Sequence, residues 1–69
     1  MPELLTEDSR LLLAFIRDHP GVTRLDIDAR LLLNKFDIAM AIKRLMYHGL
    51  IVRLQSHEGP DFDVRYYPG

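Results

Sequence analysis

The residues best equipped for chemistry lie in one stretch, Lys35-Phe36-Asp37-Ile38-Ala39-Met40-Ala41-Ile42-Lys43-Arg44-Leu45-Met46-Tyr47. Phe36, Met40 and Tyr47 recur at i, i+4 and i+11, with Lys43 and Arg44 between the last two. At 100° per residue this spacing sets them along one side of a helix. Two kinds of contact suit such a side. Phe and Met can touch a thymine methyl, Tyr can donate to a phosphate, Lys and Arg neutralise phosphates, and the Asp37 carboxylate can accept from a cytosine amino group. A Phe-Met-Tyr ridge with flanking cations also resembles the hot spot of a protein-binding surface. A third reading folds Phe36 back onto the core.

The remaining chemically capable residues form no constellation. His19, His48 and His57 fall at two helix ends and a turn tip, a distribution unlike a metal site, and protonated His is favourable at helix C-termini. Asp26 and Asp28 read as a cap and a solvated surface residue. There is no nucleophile elbow, phosphate-cradling Gly loop or buried carboxylate pair, and the chain is too short to enclose a substrate. We expect no catalytic residue, no metal, no cofactor and no enzymatic activity.

Three helices and a hairpin must position the 35–47 stretch. Thr6-Glu7-Asp8-Ser9 opens the first helix, about 7–18, with Thr6 as N-cap and two acids in the first turn. Leu11, Leu12, Phe15 and Ile16 form its expected inner arc, Arg10 and Arg17 lie opposite, and Leu13 falls outside as a partly exposed residue. His19-Pro20-Gly21 stops it. Val22-Thr23 has room only for a β-bridge, and Thr23-Arg24-Leu25-Asp26 reads as a capping box that starts a second helix, about 24–32. Leu25, Ile27, Ala29, Leu31 and Leu32 are its expected apolar face, and Asn34 ends the segment.

The third helix, about 35–48, buries Ile38, Ile42 and Leu45, flanked by Ala41 and Met46, and stops at Gly49, where a left-handed residue closes a helix at least cost. Leu50 to Tyr67 then reads as a β-hairpin of about 50–67 with a turn at Ser56-His57-Glu58-Gly59-Pro60-Asp61. Phe62, Val64 and Tyr66 are expected to face the helices and Asp63 and Arg65 solvent, with Pro68-Gly69 frayed. The class is α+β, a single domain over residues 1–69.

Composition agrees. The chain has 69 residues, 48% of them hydrophobic, no Cys and no Trp, and its twelve Leu and five Ile outweigh three Val, a mix that favours helix. So short a chain buries only about 60% of its unfolded surface, so dense packing must stabilise it. The absence of Cys suits a reducing cytoplasm. No apolar run approaches the ~18 residues of a membrane span, and Met1-Pro2-Glu3-Leu4-Leu5 lacks the basic start of a signal peptide. We expect a cytoplasmic protein with no membrane partner.

The pattern Ile27-x-Ala29-x-Leu31-x-Leu33-Asn34-x-x-x-Ile38-x-x-x-Ile42-x-x-Leu45-x-x-x-Gly49-Leu50-Ile51, preceded by Asp18-His19-Pro20-Gly21-Val22-Thr23, resembles a winged helix-turn-helix domain. It is similar to the module of MarR-like and ArsR-like regulators of prokaryotes and phages, and the likeness runs from Leu11 to Tyr67. It departs from the family at Leu32, where a small residue is usual, and at Asn34, where the reading helix often opens with Ser or Thr. The resemblance implies a second and third helix packed steeply through Ala29, Leu31, Ile38 and Ile42, with the third helix in the major groove of double-stranded DNA. It would assign Lys35, Phe36, Asp37, Met40 and Arg44 to the groove, Lys43 and Tyr47 to nearby backbone or bases, and Arg53, His57 and Arg65 to the wing and flanking phosphates.

The formal net charge of −1 hides a segregation. Residues 1–33 are net −2, residues 34–54 carry four bases and one acid for a net +3, and residues 55–69 are net −2. Phosphate binding responds to this local field more than to the total. Four bases are few, however, so specific binding calls for a dimer, which places two reading helices about one turn of DNA apart. The expected dimer contacts are Leu4, Leu5 and Leu13 with Tyr66 and Tyr67. The expected function is therefore a small DNA-binding transcriptional regulator, with a protein-interaction adaptor built on the Phe36-Met40-Tyr47 ridge as the alternative.

Overall fold

In the computed structural model, which describes residues 5–56 and 63–69, each helix begins where a short polar side chain closes a backbone turn. The Ser9 amide donates to Thr6 Oγ1 at 3.2 Å and starts α1, Glu7–Asp18. Thr23 and Asp26 form the reciprocal capping box that starts α2, Arg24–Arg30, with the Asp26 amide donating to Thr23 Oγ1 at 3.2 Å. Asn34 Oδ1 accepts from the Asp37 amide at 2.8 Å and starts α3, Lys35–Tyr47. Each cap satisfies a donor that the first helical turn leaves unpaired. Gly21 and Gly49 reverse the chain after α1 and α3 at φ +86° and +69°, a region that only glycine enters without strain.

The strands are β1, Val22–Thr23, β2, Ile51–Ser56, and β3, Asp63–Pro68, in one antiparallel sheet of order β1-β3-β2. Tyr66 is its pivot, paired with Val22 on one side and Arg53 on the other. The molecule is thus a small α+β fold with three helices and a three-stranded antiparallel sheet. The bridge at Val22-Thr23 is the sheet's third strand, joined to β3 and reinforced by the Gly21 amide donating to the Tyr66 carbonyl at 2.8 Å. Pro68 and Gly69 are not frayed: Pro68 pairs with Ile51 and the Gly69 amide donates to the Leu50 carbonyl at 2.8 Å. A Cβ at position 69 would collide with the Gly49 carbonyl oxygen. Phe62 and most of the expected turn lie outside the described residues.

The core forms between α1, α3 and the sheet. Leu12, Leu13 and Ile16 meet Ile38, Ala41, Ile42 and Leu45, with Val22, Ile51 and Tyr66 closing one side and Ile27 supplied by α2. Two expectations about it need correction. On α1 the buried set is Ser9, Leu12, Leu13 and Ile16, so Leu13 is inside and Leu11 is half exposed. The arc is turned because Ser9, polar in sequence, is fully buried with its hydroxyl 2.9 Å from Thr6 Oγ1. α1 is also covered by β3 as well as α3, which widens the face it buries.

The second correction concerns α2. It ends at Arg30, and only Ile27 is buried within it; Leu25 and Ala29 are exposed. Leu25, Ile27 and Ala29 are spaced by two, which on a helix turns each 200° from the last, so they cannot share a face. From Leu31, at φ −93° and ψ 130°, the backbone is extended. There Leu31 and Leu33 pack against the core while Leu32, between them, points to solvent. Ala29, expected to pack between α2 and α3, therefore lies outside the core. Met46, expected to flank the inner face of α3, is instead 41% exposed.

Candidate functional site

Burial of Ile38, Ala41, Ile42 and Leu45 fixes the rotation of α3. At 100° per residue the direction opposite that buried arc falls on Phe36, Met40, Lys43 and Tyr47. All are exposed, Phe36 at 72% and Tyr47 at 86%. Phe36 does not fold back onto the core. Arg44, exposed, and Asp37, half-buried, form one shoulder of this face beside the N-terminal turn of α1, where Asp8 and Ser9 join Phe36, Met40 and Arg44 around a shallow groove. Lys35, Ala39 and Met46 form the other shoulder, all exposed.

Toward the end of α3, Met40, Lys43, Arg44, Tyr47 and His48 line a second open hollow. The Tyr47 and His48 rings meet edge to face there, with centroids 5.2 Å apart. Lys35, Lys43, Arg44 and Arg53 make no ion pair with a described residue. Their charge is available to a ligand. By contrast Arg24 is engaged: its Nε lies 3.2 Å from Asp28 Oδ1 and its Nη2 donates to the Lys35 carbonyl at 3.3 Å. That second bond ties the first turn of α2 to the first turn of α3 and so helps to fix where the outward face begins.

The sequence-predicted residues thus divide. Phe36, Met40, Lys43 and Tyr47 lie on the outward face of α3, with Asp37 and Arg44 on one shoulder and Lys35 on the other. Arg53 stands exposed on β2. Arg65 is exposed on β3, where its guanidinium donates to the Gly21 carbonyl at 3.0 Å and braces the α1–β1 turn. His57 lies outside the described residues. Of the residues expected at a dimer contact, Leu13 and Tyr66 are buried at 6% and 5% exposure and offer no surface to a second copy. They are core because α1 is covered on two sides and Tyr66 sits in the central strand. Leu5 and Tyr67 are half-buried, Tyr67 with its ring over Gly21, and Leu4 is outside the described residues.

Arg30, Leu25 and Leu32 are not among the site residues expected from sequence, yet all three are prominent on the surface. The net acidity of the 1–33 segment masks Arg30, and the apolar character of the two leucines reads as core. Among the described residues no cluster of three His, Asp or Glu is placed to hold a metal ion, and no helix is long and apolar enough to cross a membrane. No protein-family model, no curated protein and no solved structure matches the chain.

Proposed function

We propose that the chain is a winged helix-turn-helix module that binds double-stranded DNA as a small transcriptional regulator, with α3 in the major groove and the β2–β3 hairpin along the phosphate backbone. The observation that carries this reading is that Lys43 and Arg44, unpaired among the described residues, stand on the exposed half of α3 with Lys35 at its first turn. A helix with side chains is about 10–12 Å across and the major groove about 12 Å wide, so an outward helix face can enter it. Phe36 and Met40 then reach thymine methyls, Asp37 accepts from a cytosine amino group, and Lys43, Arg44 and Tyr47 grip phosphates. Arg53 on the hairpin adds a phosphate contact, and a dimer doubles the whole set.

A second reading is favoured by the exposure of Phe36 and Tyr47, large aromatics that a purely electrostatic contact does not require. Here the same ridge docks on another protein and DNA is not touched. Mobility shifts on random genomic fragments decide between them. Complexes that form at low salt and are weakened in Lys43→Ala/Arg44→Ala support the DNA reading. No complex on any fragment, even at low salt, removes it, and then Phe36→Ala and Met40→Ala should abolish capture of a protein partner.

A further inference from the structure

The start of α3 places a hydrogen-bond acceptor beside two apolar groups. Phe36, Asp37 and Met40 line the shallow groove against the first turn of α1, and Met40 lies one helical turn beyond the other two, close enough for the three side chains to meet one object. Phe36 and Met40 are exposed and Asp37 is half-buried. The Asp37 amide is engaged in the cap with Asn34, but its carboxylate makes no hydrogen bond or ion pair with a described residue. Of the other charged groups on the groove, Asp8 is a second acid, and Arg44, two turns along α3, does not pair with Asp37. The groove therefore offers a carboxylate acceptor flanked by apolar side chains, which is complementary to a donor with a methyl group next to it.

We propose that Phe36, Asp37 and Met40 together recognise 5-methylcytosine in duplex DNA, an inference that rests on the major-groove placement of α3. The base-pair edges separate on this requirement. Across the major groove an A·T pair presents acceptor, donor, acceptor and methyl in that order, so thymine O4 stands between the adenine amino group and the methyl. A G·C pair presents two acceptors and then the cytosine amino group, beside which C5 carries only hydrogen. Methylation at C5 sets a methyl directly next to the donor, an arrangement that no unmodified pair offers. With the Asp37 carboxylate accepting from the amino group, its apolar neighbours fall beside C5, where Phe36 and Met40 cover the methyl. Thymine brings a methyl but turns O4 toward the carboxylate, acceptor against acceptor, and is disfavoured. The order of affinity at this position is 5-methylcytosine, then cytosine, then thymine, and burial of the one methyl is worth about 4-fold per bound subunit.

Random genomic fragments that shift with the wild-type chain are amplified with either dCTP or 5-methyl-dCTP, and the two forms compete against one labelled duplex in fluorescence anisotropy. The methylated form is expected to compete about 4-fold better per bound subunit. Phe36→Ala/Met40→Ala should bind the two forms alike, with an unchanged circular dichroism spectrum and the wild-type dependence on salt, since Lys43 and Arg44 remain. Asp37→Ala should lose the preference too, because nothing then holds the amino group beside the apolar pair. If the double variant binds too weakly to compete, Met40→Ala alone is compared and should reduce the preference. Wild-type complexes that form equally on both forms overturn the proposal and leave DNA binding standing. A preference that persists undiminished in the variants does the same, since it then comes from methylated DNA itself and not from this groove. No complex on either form overturns the DNA reading and this inference with it.

Discussion

Removing Lys43 and Arg44 together should halve the salt dependence of DNA binding. The 34–54 segment offers four bases, Lys35, Lys43, Arg44 and Arg53, all exposed. If each neutralises one phosphate, about 0.9 counterion is released per contact and log K falls against log salt with a slope near −3.6 per bound subunit. Raising salt from 50 to 200 mM then weakens binding about 150-fold. With Lys43→Ala/Arg44→Ala the slope drops to about −1.8 and the same change in salt weakens binding only about 12-fold. Binding by two subunits doubles both slopes and leaves their ratio at about two, so the comparison does not depend on oligomeric state. Fluorescence anisotropy of a labelled duplex across that salt series measures both slopes, and circular dichroism confirms that the variant is folded. Because both side chains are exposed and unpaired among the described residues, their removal should leave stability within about 0.5 kcal/mol. Equal slopes for the two proteins would refute the assignment of Lys43 and Arg44 to phosphates.

Other outcomes follow from the packing and the caps. Thr6→Ala removes both the helix cap and the partner of the fully buried Ser9 hydroxyl, and should lower stability by about 2–4 kcal/mol in urea melts. Adding Ser9→Ala to it should recover part of that loss, since the orphaned hydroxyl goes with it. Gly49→Ala meets no atom within 4 Å but forces a side chain into φ +69°, so it should cost about 1–2 kcal/mol through the backbone alone, and Gly49→Asn should cost less. Leu12→Ala empties a fully buried site at about 3–5 kcal/mol. That equals the whole stability of about 3–5 kcal/mol which a core of this size supplies, so the variant should be unfolded by circular dichroism at 25 °C.

What was legible in the sequence was local. Thr6, the Thr23–Asp26 box, Asn34, Gly21 and Gly49 each act on their nearest backbone neighbours, and the helix starts fall where those residues set them. The inner face of α3 was equally plain, because Ile38, Ile42 and Leu45 leave one rotation of the helix that buries them all. What was missed depends on what covers an element. Ser9 gives no apolar signal, so the apolar residues alone set the arc of α1 one residue away and leave Leu13 outside it. Five apolar residues between 25 and 32 looked like one face, whereas a short helix followed by extended chain shows Leu25 and Leu32 to solvent. The exposure of Phe36, Met40, Lys43 and Tyr47 follows from the same rotation of α3, which its apolar residues set. The dimer contacts expected at Leu13 and Tyr66 fail, since apolar residues in a sequence do not say whether the cover is the chain's own core or another copy.

The order β1-β3-β2 bears on how the chain comes to be folded. The last strand in sequence is the middle strand of the sheet, and among the described residues β1 pairs with β3 alone. Helices and caps can form from neighbours within a turn or two, but the junction at β1 waits for a contact such as Arg65 to Gly21, 44 residues apart. Closing so long a loop carries an entropy cost that local helix formation avoids, so pairing of β1 is expected to follow helix formation. A ribosome must therefore deliver residues 63–68 before either edge of the sheet can be paired. Until then Val22 and Ile51 lack their strand partners Tyr66 and Pro68, so stabilisation of the domain as a unit, rather than element by element, is expected.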